Sequence, residues 1–275
     1  MTEHQIIVHF TDTHIVPPGE LVHGVDTAQH LRDALQRVAE MNLDPACFIL
    51  SGDLANDGDA ESYEHLRELV REIEAFGKPV LLGLGNHDNR VNFRRVILGE
   101  SDAADEAAPY YYATDLDGLR ILMLDSKVPD RHDGELDQEQ LAWLSAELEK
   151  PAPRGNVVVV HHPSVPRGVP RSNDLLLQNP EDLASVIEGR NVLAILAGHS
   201  HVSSVSSYAG RLHATAPATA FLLDPSIRDG GRALDGAGFN ICTVREGRMV
   251  VNPIILAGPQ TESFRYGAYA AMGQE

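Results

Sequence analysis

The chain is predicted to be an α/β protein: a four-layer αββα sandwich of two mixed β-sheets with flanking helices. Three observations predict it. The first third alternates apolar strand-like runs with amphipathic helical segments, a β-α-β-α-β succession that argues for parallel strands with crossover helices. After residue 201 the pattern contains strands only, which reads as a second, largely antiparallel sheet. With 275 residues, 43% of them hydrophobic, the chain can bury a sizeable core. No repeat and no linker interrupts it. Residues 1–257 are therefore read as a single domain, and 258–275 as a tail, frayed or docking on a partner chain.

The elements follow in order. Residues 5–10 form the first strand. The Pro- and Gly-containing loop 15–25 is expected to lie near Asp12. Asp26 or Thr27 can cap a helix through about residue 41, with Leu31, Ala34, Leu35 and Val38 on one face. Strand 46–50 precedes a helix over 60–75, capped by Asp59 and burying Leu66, Leu69, Val70 and Ile73. Strand 79–84 leads to a short basic helix over 91–98. Residues 110–115 and 119–124, joined through Asp117-Gly118, make a hairpin. A polar loop over 127–135 precedes a helix from Asp137 to residue 149, then strand 157–160. The three-proline loop 164–178 is long enough to be functional and is expected to rim a pocket. Helix 180–188 and strand 192–196 follow. Strands over 202–208, 211–215, 219–223, 239–244 and 249–256 complete the fold.

Five of these strands end alike. Thr11-Asp12-Thr13-His14, Ser51-Gly52-Asp53, Gly85-Asn86-His87-Asp88, His161-His162-Pro163 and Gly198-His199-Ser200-His201 each follow an apolar run. Turn polarity explains any one of them. It does not explain five exits that all carry residue types able to bind metals. On extended backbone, residues i and i+2 point to one side, so Asp12/His14 and His199/His201 read as pairs that each bite a metal cluster. Asp53 has two oxygens and can bridge two ions. Asp12, His14, Asp53 and His201 would then hold one ion, and Asp53, Asn86, His161 and His199 the other. Imidazole and carboxylate without thiolate suit two divalent ions such as Mn, Fe, Zn or Co. Two such ions, less two carboxylates and a hydroxide, leave a locally positive centre that fits a phosphate ester. The expected chemistry is attack by hydroxide generated at the metals, with Asp53 and His87 in the catalytic set and His87 protonating the leaving alkoxide. Asp88 is read as orienting His87 or as surface polarity, and His162 as a residue behind the ligands.

These blocks together resemble the complete signature of the calcineurin-like metallophosphoesterases, from the first strand to His201 and in the family's order. The resemblance implies the αββα sandwich, the dinuclear site and the ligand roles above. Protein Ser/Thr phosphatases carry an Arg soon after the bridging Asp, and Gly52 to Gly58 has none. Purple acid phosphatases use a Tyr where Asn56 stands and a Gly where His14 stands. The Phe10–His14 opening, the Gly85–Asp88 block and the Arg131-His132-Asp133-Gly134-Glu135 loop are most similar to bacterial class III cyclic-nucleotide phosphodiesterases and glycerophosphodiesterases. That similarity implies a homodimer and places His132 near the pocket. Substrate contacts are expected from His87, His132, Asn86 and His201. The expected substrate is a small phosphodiester, first 3′,5′- or 2′,3′-cAMP. The alternatives are a glycerophosphodiester or phosphonate-ester hydrolase and, in another class, a non-catalytic metal-dependent scaffold.

Composition narrows the partners. A formal net charge of -18 repels long polyanions, so no long nucleic acid is expected. No apolar run approaches a membrane span, and no basic segment with an h-region precedes the first strand. Two cysteines, Cys47 and Cys242, make no disulfide framework, which fits a cytoplasmic location. There is no G-x-S-x-G, P-loop or dinucleotide fingerprint.

Overall fold

The structure is a computed structural model that describes residues 4–166, 175–224, 226, 231–256 and 262–266. Two mixed sheets pack face to face. The first has the order β13 (Arg248–Ile255), β12 (Gly238–Arg245), β1 (Gln5–Phe10), β2 (Cys47–Leu50), β3 (Val80–Leu82). The second runs β4 (Tyr112–Leu116), β5 (Leu119–Met123), β6 (Gly155–Val159), β7 (Val192–Ala197), β9 (Arg211–Thr215), β8 (Ser204–Tyr208). In the first, β1, β2 and β3 are parallel; in the second, β5, β6, β7 and β9 are parallel.

Side-chain alternation builds the layers. Ile6, Val8 and Phe10 face α1 (Thr27–Glu40) and α2 (Ala60–Glu74), packing on Leu31, Leu35, Leu66 and Leu69. Ile7, one residue out of phase, faces the other way and joins Ile49, Ile121, Val157, Val159 and Leu196 between the sheets. On the far side Leu122, Val158 and Ile195 meet α4 (Gln138–Leu148) and α5 (Pro180–Ile187). The inner strands β1, β2, β5, β6 and β7 are buried on both faces, which is why they read as continuous apolar runs rather than alternating ones. Asp26, Asp59 and Asp137 cap α1, α2 and α4 by accepting from the amides of Gln29, Ser62 and Gln140. Each cap contributes about 1 kcal/mol.

The partition of strands differs from the expected one. The late strands do not make up the second sheet by themselves but are divided among three sheets. β12 pairs antiparallel with β1 and extends the first sheet, while β8 and β9 extend the second. Hydrophobic pattern reports burial, not which of two buried edges a strand will pair with. Of the expected strand 219–223 only β10 (Leu222–Leu223) forms. It joins β11 (Gly231–Leu234) and β14 (Glu262–Tyr266) in a small third sheet. β14 lies within the tail 258–275, whose other residues are outside the described ones. The expected helix 91–98 is a four-residue turn of α3 (Arg90–Phe93) followed by a π-helical turn, Arg94–Leu98. The centre of loop 164–178, residues 167–174, lies outside the described residues.

Candidate metal centre and active site

The predicted side chains come from the carboxyl ends of five strands. Asp12 and His14 follow β1, Asp53 follows β2, Asn86 follows β3, His161 follows β6, and His199 and His201 follow β7. Parallel neighbours deliver their exits to one rim. Ligand atoms of Asp12, His14 and His201 lie within 4.8 Å of one another, as do those of Asp12, Asp53 and His161, and of His14, Asp53 and His87.

Five of the seven have left-handed backbone: φ is 51° at Asp12, 43° at His14, 49° at Asp53, 66° at His199 and 53° at His201. Few non-glycine residues adopt such angles, and they cost on the order of 1–3 kcal/mol where surroundings must hold them. This corrects the reading of Asp12/His14 and His199/His201 as i, i+2 pairs on extended chain. The backbone kinks at each ligand, and the kink aims the side chain. Hydrogen bonds hold these kinks. The amides of Asp12 and His14 donate to the carbonyls of Gly52 and Asp53, both at 2.9 Å, and Ala220 N–H donates to the Asp12 carbonyl at 3.0 Å. Glycine lets the exits close on one another. A Cβ on Gly85 would meet the backbone nitrogen and Oδ1 of Asp53 and stand 2.7 Å from His161 Nε2.

Neighbours also fix which atom each ligand presents. Asp12 Oδ2 accepts from the Thr11 hydroxyl at 2.8 Å and from His199 N–H at 2.9 Å, so Oδ1 is the oxygen left for the centre. Asp53 Oδ1 accepts from His87 N–H at 2.9 Å, while Oδ2 stands 3.7 Å from His14 Nε2 and 3.3 Å from His161 Nε2. Nδ1–H of His14 faces Asn56 Oδ1 at 3.2 Å, that of His161 the Ser51 carbonyl at 3.1 Å, and that of His201 the Phe221 carbonyl at 2.8 Å. Each arrangement turns Nε2 toward the centre, the usual outer-shell arrangement around a ligating imidazole.

A pair of cations fits these residues on three grounds. Asp12 Oδ1, Asn86 Oδ1 and His199 Nδ1 are buried atoms with no hydrogen-bond partner, and a buried polar atom left so costs about 1–3 kcal/mol. His14 Nε2 and His201 Nε2 lie 3.1 Å apart with both Nδ1 atoms already donating, so two lone pairs face each other. Burial pushes His14 and His199 down to about 3, which keeps both rings neutral, the state a metal ligand requires. His161 differs: burial lowers it, but the Asp53 carboxylate more than offsets this and holds it up at about 9, so a cation displaces a proton there. The donor set carries no thiolate, and the fit is to N/O-ligated divalent ions.

The remaining predicted residues take defined places. His87 is half-buried at the rim, its ring 4.8 Å from that of His14, and its Nδ1–H donates to the Asn56 carbonyl at 2.7 Å. His132 is exposed, with Nδ1 3.5 Å from Asn86 Nδ2 and its ring 6.3 Å from His87. His162 belongs to a group with His161 and His199, yet both its nitrogens are engaged, Nδ1 with the Ser126 hydroxyl at 2.7 Å and Nε2 with the His132 carbonyl at 3.2 Å. Asp88 corrects an expectation. It is neither surface polarity nor the partner of the His87 ring. It is buried and accepts from the amides of Leu54, Ala55 and Gly85 and from the Tyr63 hydroxyl. Asn56, which the sequence marked only as standing where purple acid phosphatases have a Tyr, orients His14 with its side chain and His87 with its carbonyl, roles the sequence did not assign to it.

No helix among the described residues is long and apolar enough to cross a membrane. A probable cyclic nucleotide phosphodiesterase of Rhodococcus erythropolis is 38% identical, over 92% of this chain and 83% of that protein. A cAMP/cGMP dual specificity phosphodiesterase of Mycobacterium tuberculosis is 35% identical over 98% and 84%. Among solved structures, a dimetal phosphatase from Danio rerio shares the fold, with a TM-score of 0.66 at 18% identity over 90% of this chain and 95% of that one. The fold, the His/Asp clusters and this kinship are those of a metal-dependent hydrolase and support a general phosphodiesterase activity. The family model of the calcineurin-like phosphoesterases matches residues 6–203, and the chain belongs to that family.

Proposed function

We propose that the protein hydrolyses small phosphodiesters at a pair of divalent cations, with 3′,5′- or 2′,3′-cyclic nucleotides as the first substrates. The observation that carries the reading is the convergence on one rim of ligand atoms from Asp12, His14, Asp53, His161, His199 and His201, with Asp12 Oδ1 and the neutral His199 Nδ1 buried and without a hydrogen-bond partner. The names carried by the two relatives at 35–38% identity support the cyclic-nucleotide assignment. Asp12, His14, Asp53 and His201 would hold one ion, and Asp53, Asn86, His161 and His199 the other. Bound there, the ions would supply an activated water and positive charge against the phosphoryl oxygens.

The chain's own groups account for the rest. His87 keeps its Nδ1–H on the Asn56 carbonyl, so Nε2 is the atom that carries the exchangeable proton. In the protonated ring that proton passes to the leaving alkoxide, and the ring recovers it as the attacking water loses one. Asn86 and His132 flank His87 and contact the ester beyond the scissile bond.

The test is a substrate panel on protein of measured metal content: 3′,5′-cAMP, 3′,5′-cGMP, 2′,3′-cAMP, a glycerophosphodiester and a phosphonate ester. Turnover of a cyclic nucleotide with kcat/KM well above the others supports the assignment. Turnover of the glycerophosphodiester alone moves the substrate class, and metal-loaded protein inert to all five overturns the catalytic reading.

A further inference from the structure

Lys127 stands at the start of the polar loop that carries His132, and nothing in the ligand pattern calls for a cation there. Its side chain is only 9% exposed. Burying an ammonium is costly unless acceptors compensate it. Two acceptors are present. Nζ donates to the Asn86 carbonyl at 3.1 Å and lies 3.8 Å from Glu106 Oε1. Glu106 is itself tied down, its Oε2 accepting from Val91 N–H at 3.1 Å and its carbonyl accepting from the Arg90 guanidinium at 2.8 Å. That guanidinium makes a buried two-point pair with Asp125, at 2.7 and 2.9 Å, and also donates to the Lys127 carbonyl at 2.6 Å. The stem of Lys127 is thus fixed from behind, and its charged end lies between Glu106 and the peptide unit of Asn86 and His87.

That peptide unit joins two residues of the site. Its carbonyl belongs to Asn86 and takes the Lys127 ammonium. Its N–H belongs to His87 and donates to Asp53 Oδ1 at 2.9 Å. Ammonium, peptide and carboxylate therefore form one chain of two hydrogen bonds, charged at both ends. Such charge-assisted bonds are about twice as strong as neutral ones, and each polarises the next. We propose that Lys127 is a positioning residue that clamps the Asn86–His87 peptide against Asp53. The clamp sets the Asn86 side-chain carbonyl for the second cation. It also occupies Asp53 Oδ1, so that Oδ2 alone faces His14 and His161.

The proposal rests on the two-cation reading, and its test has a readout that does not need turnover. The cation-stripped wild-type protein and the Lys127→Met and Lys127→Arg variants are titrated with Mn²⁺ by calorimetry, with melting temperature followed in parallel. In Lys127→Met one of the two Mn²⁺ steps, that of the ion Asn86 would hold, is expected to shift at least 10-fold in Kd, with the other step within twofold of wild type. Lys127→Arg, which keeps a cationic donor, is expected to recover most of the difference. Two Mn²⁺ steps unchanged in Lys127→Met overturn the proposal, and so does equal weakening of both steps with a lowered melting temperature, which marks a general structural role. Should Lys127→Met fail to fold, Lys127→Gln replaces it, with the same expected split and the same refuting results. A wild-type protein that binds two Mn²⁺ but cleaves no phosphodiester overturns the functional reading and leaves the clamp standing.

Discussion

Replacing Gly85 by alanine asks whether the close approach of the strand exits builds the site. The added Cβ would fall inside contact distance of the Asp53 backbone nitrogen and Oδ1 and within 2.7 Å of His161 Nε2. Carbon and nitrogen normally sit about 3.5 Å apart or more. The β3 exit therefore has to move roughly 1 Å away from β2, because a backbone atom cannot turn aside. Overpacking of this kind costs about 1–3 kcal/mol, which for a chain of this size lowers the melting temperature by roughly 2–10 °C. The effect on chemistry is larger, since a displacement of about 1 Å at a reacting centre can cost about 100-fold. Gly77→Ala is the matched control. Gly77 has φ 70° and nothing within 4 Å of its Cβ position, so alanine there pays only for left-handed backbone, about 1 kcal/mol, with unchanged kcat. The assay is turnover of bis-p-nitrophenyl phosphate together with differential scanning calorimetry. A Gly85→Ala protein with wild-type kcat and melting temperature would show that the exits are not held at the spacing described.

Three further outcomes follow from the geometry. His87→Ala is expected to lower kcat by about 10²–10⁴ on an alkyl leaving group and far less on p-nitrophenolate, which needs no proton, with the cation stoichiometry unchanged; equal losses on both esters would remove His87 as the acid. Asp88→Asn should destabilise the protein by about 2–3 kcal/mol, because an amide NH₂ would have to face one of the N–H donors now satisfied by the buried carboxylate, and a melting temperature equal to wild type would contradict that placement. His213 is buried, accepts from Ser164 N–H at 3.1 Å, and is pushed by burial down to about 4. Its folded value is depressed, so its contribution is complete above the unfolded value near 6.5 and is lost as pH falls from there toward 4. Between pH 7 and pH 5 the wild type should therefore lose about 2 kcal/mol more stability in urea than His213→Asn, and parallel losses in the two proteins would refute this.

Much of the architecture was legible because local rules and global packing agree. Asp26, Asp59 and Asp137 announce helix starts, and the Leu31/Leu35 and Leu66/Leu69/Ile73 spacings announce buried faces. The polar exits were visible as residue types because a core has no use for them. The hidden parts are those that depend on long-range pairing or on backbone angles. Nothing in the sequence of β12 says that it lies beside β1, more than 200 residues away, rather than beside β9. The left-handed angles at Asp12, His14, Asp53, His199 and His201 are imposed by hydrogen bonds from other segments, such as Ala220 N–H to the Asp12 carbonyl, and no single window contains both partners. The carbonyls of Ser51, Asn56 and Phe221 orient three imidazoles. Every residue has a carbonyl, so side-chain identity carries no trace of that role. Asp88 misled for a related reason: an aspartate after a histidine in a polar block looks exposed, and only the fold shows the three amides and the tyrosine converging on it.

The most direct measurement is the cation content of the purified protein and of its Asp53→Ala variant. Both are made without chelator and measured by inductively coupled plasma mass spectrometry, with phosphodiester turnover recorded on the same samples. About two divalent ions per wild-type chain, loss of at least one in Asp53→Ala, and loss of turnover with it are the predicted result. A wild-type chain that binds no transition metal, or an Asp53→Ala protein that keeps both ions and full turnover, would contradict the account at its centre.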